Sequence, residues 1–443
     1  MAKKKKPPSK VTLENCMGFV RKGARAENND KISTGYFELD YAINFGTLPG
    51  EEWLGSSHKV YDPNVPLGIP CGRIVEIFGP EGGGKSSLCY RIVGSAQRMG
   101  HTAAWIDTEQ SFSEDLAKIN AVDLDELLLS DLTNKDNPDI LYFAEDVLDN
   151  IVKLMKAGVK VIVLDSVANL VPKEMMEAVA QQQFIARLAR LLSQNLGKIT
   201  QWAGATNSLV LFINQIREKP GVLFGNPETT PGGRALKHNA SLRLKITKRS
   251  GADSYIKIED DTTTVGEKLI GCNSYVNLVK NRFARPLVDV SGKGISIDVP
   301  IYYEPYFPDL EEVVFVAGRR YKVITAYKGK FRFKDLNGNK YEAKEDGKAG
   351  FVDYVKAENL LPVLVDLLMA KSEETGVPLP PEIILYERGD AQGVDTPKTK
   401  KKKKDEIVDI SDVNEEAVNV DDLEIDEENY EGEDTRSGAG EDT

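Results

Sequence analysis

Cysteine and histidine are scarce in this chain. Four cysteines (Cys16, Cys71, Cys89 and Cys272) are scattered over 443 residues with no C-x-x-C pair, and only three histidines accompany them. That excludes a disulfide-stapled scaffold and argues against a zinc centre. The thiols are expected to be reduced, as in a cytoplasmic protein. Long apolar runs are missing too: none approaches the roughly 18 residues that a membrane span needs. The first ten residues, MAKKKKPPSK, are basic but lack the apolar segment of a secretory signal. With 41% hydrophobic and 28% charged residues, the rest has the composition of a soluble globular protein. It is long enough for a large core and one or two accessory parts.

The net charge of −12 is unevenly spread. Residues 405–443 hold 17 acidic residues against Arg436 alone, a net −16, which leaves the first 404 residues at +4. A slightly basic body with an acidic tail is compatible with a polyanionic partner.

Reading along the chain, residues 1–44 form a basic arm, and residues 11–31 read as a short helix that either docks on a neighbour or nucleic acid or is simply solvated. Residues 45–67, rich in Gly, Pro and Ser, read as an insertion loop. From 68 to 300 apolar strands alternate with amphipathic stretches, which predicts an α/β core with a doubly wound, mostly parallel sheet. Residues 301–395 read as a small α+β domain, with 311–343 expected to be a run of short strands and a turn at Asn337-Gly338. A lysine-rich linker and an acidic tail (396–443) have too little apolar content to fold.

The core is organised around Gly79-Pro80-Glu81-Gly82-Gly83-Gly84-Lys85-Ser86, which fits G-x-x-x-x-G-K-[ST] and is followed by Ser87. In such a P-loop, backbone N–H groups cradle phosphates, the lysine reaches the β- and γ-phosphates and the hydroxyl binds Mg²⁺. An apolar strand run (72–79) precedes it and a helical pattern (86–100) follows, so a helix N-terminus faces the anion. Asp165 closes the apolar run VIVLD and fits an acid that holds Mg²⁺; an N-cap for a following helix is the alternative. Glu109 ends another strand, where a carboxylate can polarise a water. Asn214 and Gln215 end a third, where an amide can sense a γ-phosphate. Polar residues at successive strand ends are what an open α/β sheet places around its ligand.

These segments resemble the RecA family of homologous-recombination recombinases. The resemblance rests on KISTGYFELD (31–40), GRIVEIFGPEGGGKSS (72–87), WIDTEQ (105–110), VIVLDSVANLVPK (161–173), residues 211–237 and LVKNRFARP (278–286). It implies a RecA-like ATPase core, ATP and Mg²⁺ as cofactors, and a helical filament on single-stranded DNA that pairs with a homologous duplex, with single-strand-binding or loader proteins as further partners. It implies Glu109 as general base, Ser86 and Asp165 at Mg²⁺, and Gln215 as the γ-phosphate switch. Lys280 and Arg282 would reach ATP across a protomer interface that also involves Lys237, His238 and Arg243. For DNA it implies the loop 216–234, with Arg217, Lys219, Phe224, Thr229, Gly232, Gly233 and Arg234, and the helix bearing Arg187 and Arg190. Basic and apolar side chains on a loop without helical or strand period suit phosphates and bases; a solvated helix face is the alternative for the two arginines. The acidic tail resembles tails that modulate DNA uptake in this family.

Departures mark a divergent member and are compatible with a phage-encoded one. Leu116 and Ser291 stand where the family carries adenine-contacting tyrosines, and His238 stands at an aromatic interface position. A hexameric helicase or a non-hydrolysing DNA-binding filament shares part of the pattern. The 211–237 block sets the helicase apart, and Glu109, Gln215, Lys280 and Arg282 set the non-hydrolysing filament apart.

Overall fold

Strands that are apolar on both faces can be buried only beneath helices on both sides, and the core is built that way. The computed structural model describes residues 30–46, 48, 66–130, 132, 142–175, 181–218, 228–251, 254–259, 267–284, 286–287, 294–305, 310–345, 347–375 and 378–390. Most of the basic arm, most of the 45–67 insertion and the whole of the linker and tail lie outside them.

The chain opens with β1 (Lys31–Ile32), α1 (Phe37–Phe45) and β2 (Ile69–Pro70). The alternating core follows: β3 (Arg73–Gly79), α2 (Lys85–Arg98), β4 (Ala103–Asp107), α3 (Glu114–Ile119), β5 (Leu127–Ser130), α4 (Ala144–Lys156), β6 (Val161–Asp165), α5 (Gln181–Thr206) and β7 (Leu209–Gln215). Next come β8 (Arg217–Glu218), β9 (Glu228–Thr229), α6 (Gly233–Asn239), β10 (Leu242–Lys248), β11 (Tyr255–Glu259), β12 (Glu267–Asn281) and β13 (Ser296–Tyr302). The C-terminal part holds α7 (Leu310–Arg320), β14 (Thr325–Tyr327), β15 (Lys330–Lys334), β16 (Lys340–Glu342), α8 (Gly347–Ala357), α9 (Leu361–Thr375) and α10 (Pro381–Arg388).

The main sheet runs β11-β12-β10-β3-β7-β6-β4-β5, with β13 also paired to β12. From β10 to β5 every pairing is parallel, while β11, β10 and β13 each pair antiparallel with β12. Alternate residues of the parallel strands point to opposite faces. Val75, Ile77, Trp105, Val163 and Leu211 pack with α2 on one side. Ile74, Ile106, Ile162, Leu164 and Phe212 pack with α4 and α5 on the other. α4 buries Ala144, Val147, Leu148, Ile151, Val152 and Met155, the i, i+3, i+4, i+7 stripe of an amphipathic helix. The doubly wound expectation holds.

Residues 311–320 were expected to be strand and are helix α7. The run VVFVA is apolar at every position, so its period decides nothing. The buried set Leu310, Val314, Phe315, Ala317 and Gly318 follows helical spacing, with Glu311 and Glu312 in the first turn and Arg319 and Arg320 in the last suiting the helix dipole. The expected short strands survive as β14–β16. An expected boundary at 300 falls inside β13, the last strand of the main sheet.

α2 is buried along Ser87–Ala96 because the sheet covers one side and the C-terminal elements cover another. Arg91 donates to Glu382 on α10 at 2.7 Å, with both side chains almost wholly inaccessible (5% and 2%). The Arg91 guanidinium also lies 4.0 Å from the centre of the Tyr36 ring, and Arg98 donates to the Leu379 and Ala121 carbonyls. Removing one partner of such a pair leaves a charge stranded in the interior. Glu382→Ala is therefore expected to destabilise the protein by about 3–5 kcal/mol, seen as a lowered thermal midpoint. A midpoint equal to that of the parent would refute it.

Candidate nucleotide site

The parallel register brings the polar strand ends to one edge. Gly79 is level with Gln215, and Asp107 is level with Asp165. Beside them the P-loop turns from β3 into α2. A Cβ at Gly79 would lie 1.9 Å from the Ile246 carbonyl oxygen, so only glycine lets β3 end there. Gly84, at φ 93°, opens α2 without any side-chain cap, which leaves the first backbone N–H groups of a 14-residue helix facing the loop.

Lys85 Nζ donates to the Pro80 carbonyl at 2.8 Å. Burial pushes its ammonium below the ordinary range, against the pull of Asp165, Glu109 and Glu81. Ser86 Oγ donates to Asp165 Oδ2 at 2.8 Å. Burial pushes Asp165 up to about 6; the Ser86 hydroxyl opposes the shift, and Glu109 and Asp107 add to it. Uncapped amides, an ammonium, and a hydroxyl paired with a carboxylate are the donor set that a nucleotide triphosphate and its hard, oxygen-loving divalent cation call for. The residues fit the group.

Glu109 stands across from this pair. Its Oε1 accepts from Gln215 Nε2 at 3.0 Å and from Ser166 Oγ. Its backbone is held by Asp107, whose carboxylate accepts from the N–H groups of Glu109, Ser111 and Phe112 at 3.0, 2.8 and 2.8 Å. Thr108 and Ser166 lace β4 to β6: Thr108 Oγ1 donates to Ser166 O at 2.8 Å and accepts from Ser166 N at 2.7 Å. The Asp165–Ser166 peptide is cis. Sequence reasoning chose Glu109, Gln215 and Asp165 but passed over Asp107, Thr108 and Ser166, although each lies within two positions of a chosen residue.

Of the two amides that end β7, Asn214 turns away from Glu109. Neighbours on a strand point to opposite faces, and Asn214 donates instead to Glu76 Oε1 at 3.0 Å and Pro231 O at 3.1 Å. Glu76 is fully buried and takes a second donor, Arg243 Nε, at 2.5 Å. The Arg243 guanidinium also lies 4.5 Å from the Phe78 ring centre. This interface candidate is thus largely spent inside its own protomer.

Lys280 and Arg282 converge on the end of α6. Lys280 Nζ donates to the Lys237 and His238 carbonyls at 2.8 and 3.0 Å, and Arg282 to the His238 carbonyl at 3.1 Å. Burial, Arg282 and Arg243 together push the Lys280 ammonium down. Among the described residues neither cation has a carboxylate partner. Lys237 Nζ reaches Thr229 Oγ1 at 3.3 Å, and His238 is exposed.

The DNA candidates divide. Arg217 and Thr229 face each other in a two-residue ladder, β8–β9, so the ends of the 216–234 segment are not structureless as expected. Gly232 and Gly233, at φ 87° and 69°, let α6 lie against Leu192 and Ala189 of α5. Arg234 and Arg190 are exposed, whereas Arg187 donates to the Glu174 carbonyl. Lys219, Phe224 and Ser291 lie outside the described residues. Leu116 packs against hydrophobic clusters of the main core and of the C-terminal part.

A P-loop leading from a parallel strand into a helix, with carboxylates and an amide at the neighbouring strand ends, defines a nucleotide-binding α/β core. A family model described as the RecA N-terminal domain matches residues 63–297. Protein RecA of Symbiobacterium thermophilum is 37% identical over 274 residues, covering 61% of this chain and 67% of the relative. Protein RecA of Caldanaerobacter subterraneus subsp. tengcongensis is 38% identical over 285 residues, covering 63% and 71%. Protein RecA of Thermus aquaticus is 41% identical over 273 residues, covering 60% and 68%. The chain belongs to the RecA family of ATP-dependent recombinases, proteins of DNA recombination and repair. Nucleotide binding, DNA-dependent ATPase activity, single-stranded DNA binding and filament formation are properties of that family. Among the described residues no helix is long and apolar enough to cross a membrane.

Proposed function

We propose that this protein polymerises on single-stranded DNA as a helical filament and exchanges strands with a homologous duplex, using ATP and Mg²⁺, in the cytoplasm. Single-strand-binding or loader proteins are further partners of that reading. The observation that carries it is the Gln215–Glu109 hydrogen bond at 3.0 Å. It ties a carboxylate beside the P-loop to the residue from which the 216–234 segment starts.

The P-loop amides and Lys85 hold and orient the phosphates, and Ser86 and Asp165 hold Mg²⁺, which neutralises phosphate charge when bound. Glu109 takes a proton from the attacking water. No protein donor among the described residues reaches its Oε2, while Oε1 is held by its two donors. Gln215 chooses between Glu109 and the γ-phosphate, and its choice moves the backbone that begins at Ile216. Lys280 and Arg282 complete the site from a neighbouring protomer, so hydrolysis follows assembly. Arg190, Arg217, Lys219, Phe224 and Arg234 grip DNA phosphates and bases.

Negative-stain microscopy with single-stranded DNA and a slowly hydrolysed ATP analogue tests this. Open helical filaments are expected; closed rings would overturn it in favour of a ring-forming motor.

A further inference from the structure

The Glu109 carboxylate has two donors on one oxygen, and they differ in kind. Gln215 ends β7 and continues into a segment that leaves the sheet. Ser166 follows β6, is 1% exposed, and is locked at backbone level by its two bonds with Thr108. Thr108 N donates in turn to Asp165 O at 2.6 Å. One donor is thus free to leave and the other is not. A hydroxyl has a single proton, and Ser166 directs its own to Glu109 Oε1.

We infer that Ser166 is a positioning residue for hydrolysis: its hydroxyl holds the Glu109 carboxylate in the same orientation whether or not Gln215 is bonded to it. Without that second donor, departure of Gln215 would release the carboxylate into other rotamers at the moment a proton must be taken. With it, Oε1 stays anchored and Oε2 is left to take the proton. Misplacing a catalytic group by about 1 Å can cost about a hundredfold in rate. Asp107 serves the same carboxylate from the backbone side, fixing the turn on which Glu109 sits. The inference rests on the reading of Glu109 as general base.

Ser166→Ala removes only the hydroxyl; the backbone bonds to Thr108 remain, so the strand ends stay joined. Three readouts are compared in Ser166→Ala, Glu109→Gln and the parent protein. The expected result for Ser166→Ala is a DNA-stimulated ATPase kcat between about tenfold and a hundredfold lower, with KM for ATP and the Kd of a fluorescent ATP analogue within twofold of the parent's. A crystal structure of the variant with a slowly hydrolysed ATP analogue bound, the state in which Gln215 has left Glu109, is expected to show the Glu109 carboxylate displaced from its site beside Ser166. An unchanged kcat, an unmoved Glu109 carboxylate, or a loss of nucleotide affinity matching the loss of kcat each overturns the inference. If Glu109→Gln retains turnover, the general-base reading fails first and the Ser166 inference with it. If Glu109→Gln is inactive while Ser166→Ala turns over normally, only the positioning role is lost.

Discussion

Glu109→Gln is expected to lower DNA-stimulated ATP hydrolysis by about 10²–10⁴-fold, the span that a general base contributes. Nucleotide affinity and filament assembly should stay near the parent's. The substitution is nearly isosteric, and the amide oxygen can still accept from Ser166 and Gln215, so the local hydrogen bonds need not change. What is lost is the capacity to accept a proton from water. The carboxylate stands among acids, with Asp107 holding its backbone and Asp165 beside it on the next strand; removing one negative charge relieves repulsion and should leave the fold at least as stable. Steady-state turnover together with filament imaging checks the expectation. Residual hydrolysis within tenfold of the parent would place the proton acceptor elsewhere.

The double replacement Lys280→Ala/Arg282→Ala is expected to lower turnover by about 10³-fold or more, as the loss of cations supplied in trans does elsewhere. Three cations crowd this corner. Arg243 is neutralised by the buried Glu76, while among the described residues Lys280 and Arg282 donate to the carbonyls at the end of a seven-residue helix and to no carboxylate. Carbonyl dipoles compensate a full charge incompletely, so an anion brought by a neighbour would bind where electrostatic demand is already unmet. Complementation separates this from a structural role. A Lys85→Ala protomer keeps the two trans cations and lacks a working P-loop; the double variant has the reverse. Mixed in equal amounts, they should form intact sites at about a quarter of head-to-tail interfaces. ATPase activity above that of either variant alone is expected. No gain on mixing would show that Lys280 and Arg282 act within their own protomer.

The parts of the site legible in the sequence were those written in short, contiguous patterns. The P-loop needs its glycines within eight residues, and Asp165 and Glu109 each follow an apolar strand run. Alternation along β7 also carried information that went unused: Asn214 and Gln215 cannot both face one side of a sheet, and the buried one serves Glu76 and Pro231. Other features depend on residues far apart in the chain. Glu76 meets Arg243 across 167 positions, and Arg91 meets Glu382 across 291; no local period announces either. The helix over Leu310–Arg320 was hidden for a different reason, because VVFVA is apolar whichever secondary structure it adopts.

The pairing of Arg91 with Glu382, 291 residues downstream, makes α10 a mechanical part of the P-loop helix. That sets a frontier for shortening the protein. A truncation after residue 375 removes α10 together with Leu379, taking away the carboxylate opposite Arg91 and the carbonyl that Arg98 uses, and strips cover from a helix whose middle turns are buried on every side. Such a fragment would carry the whole 63–297 family match and still unseat the helix that the P-loop opens. For this chain, the span that defines the family is smaller than the span that must fold together.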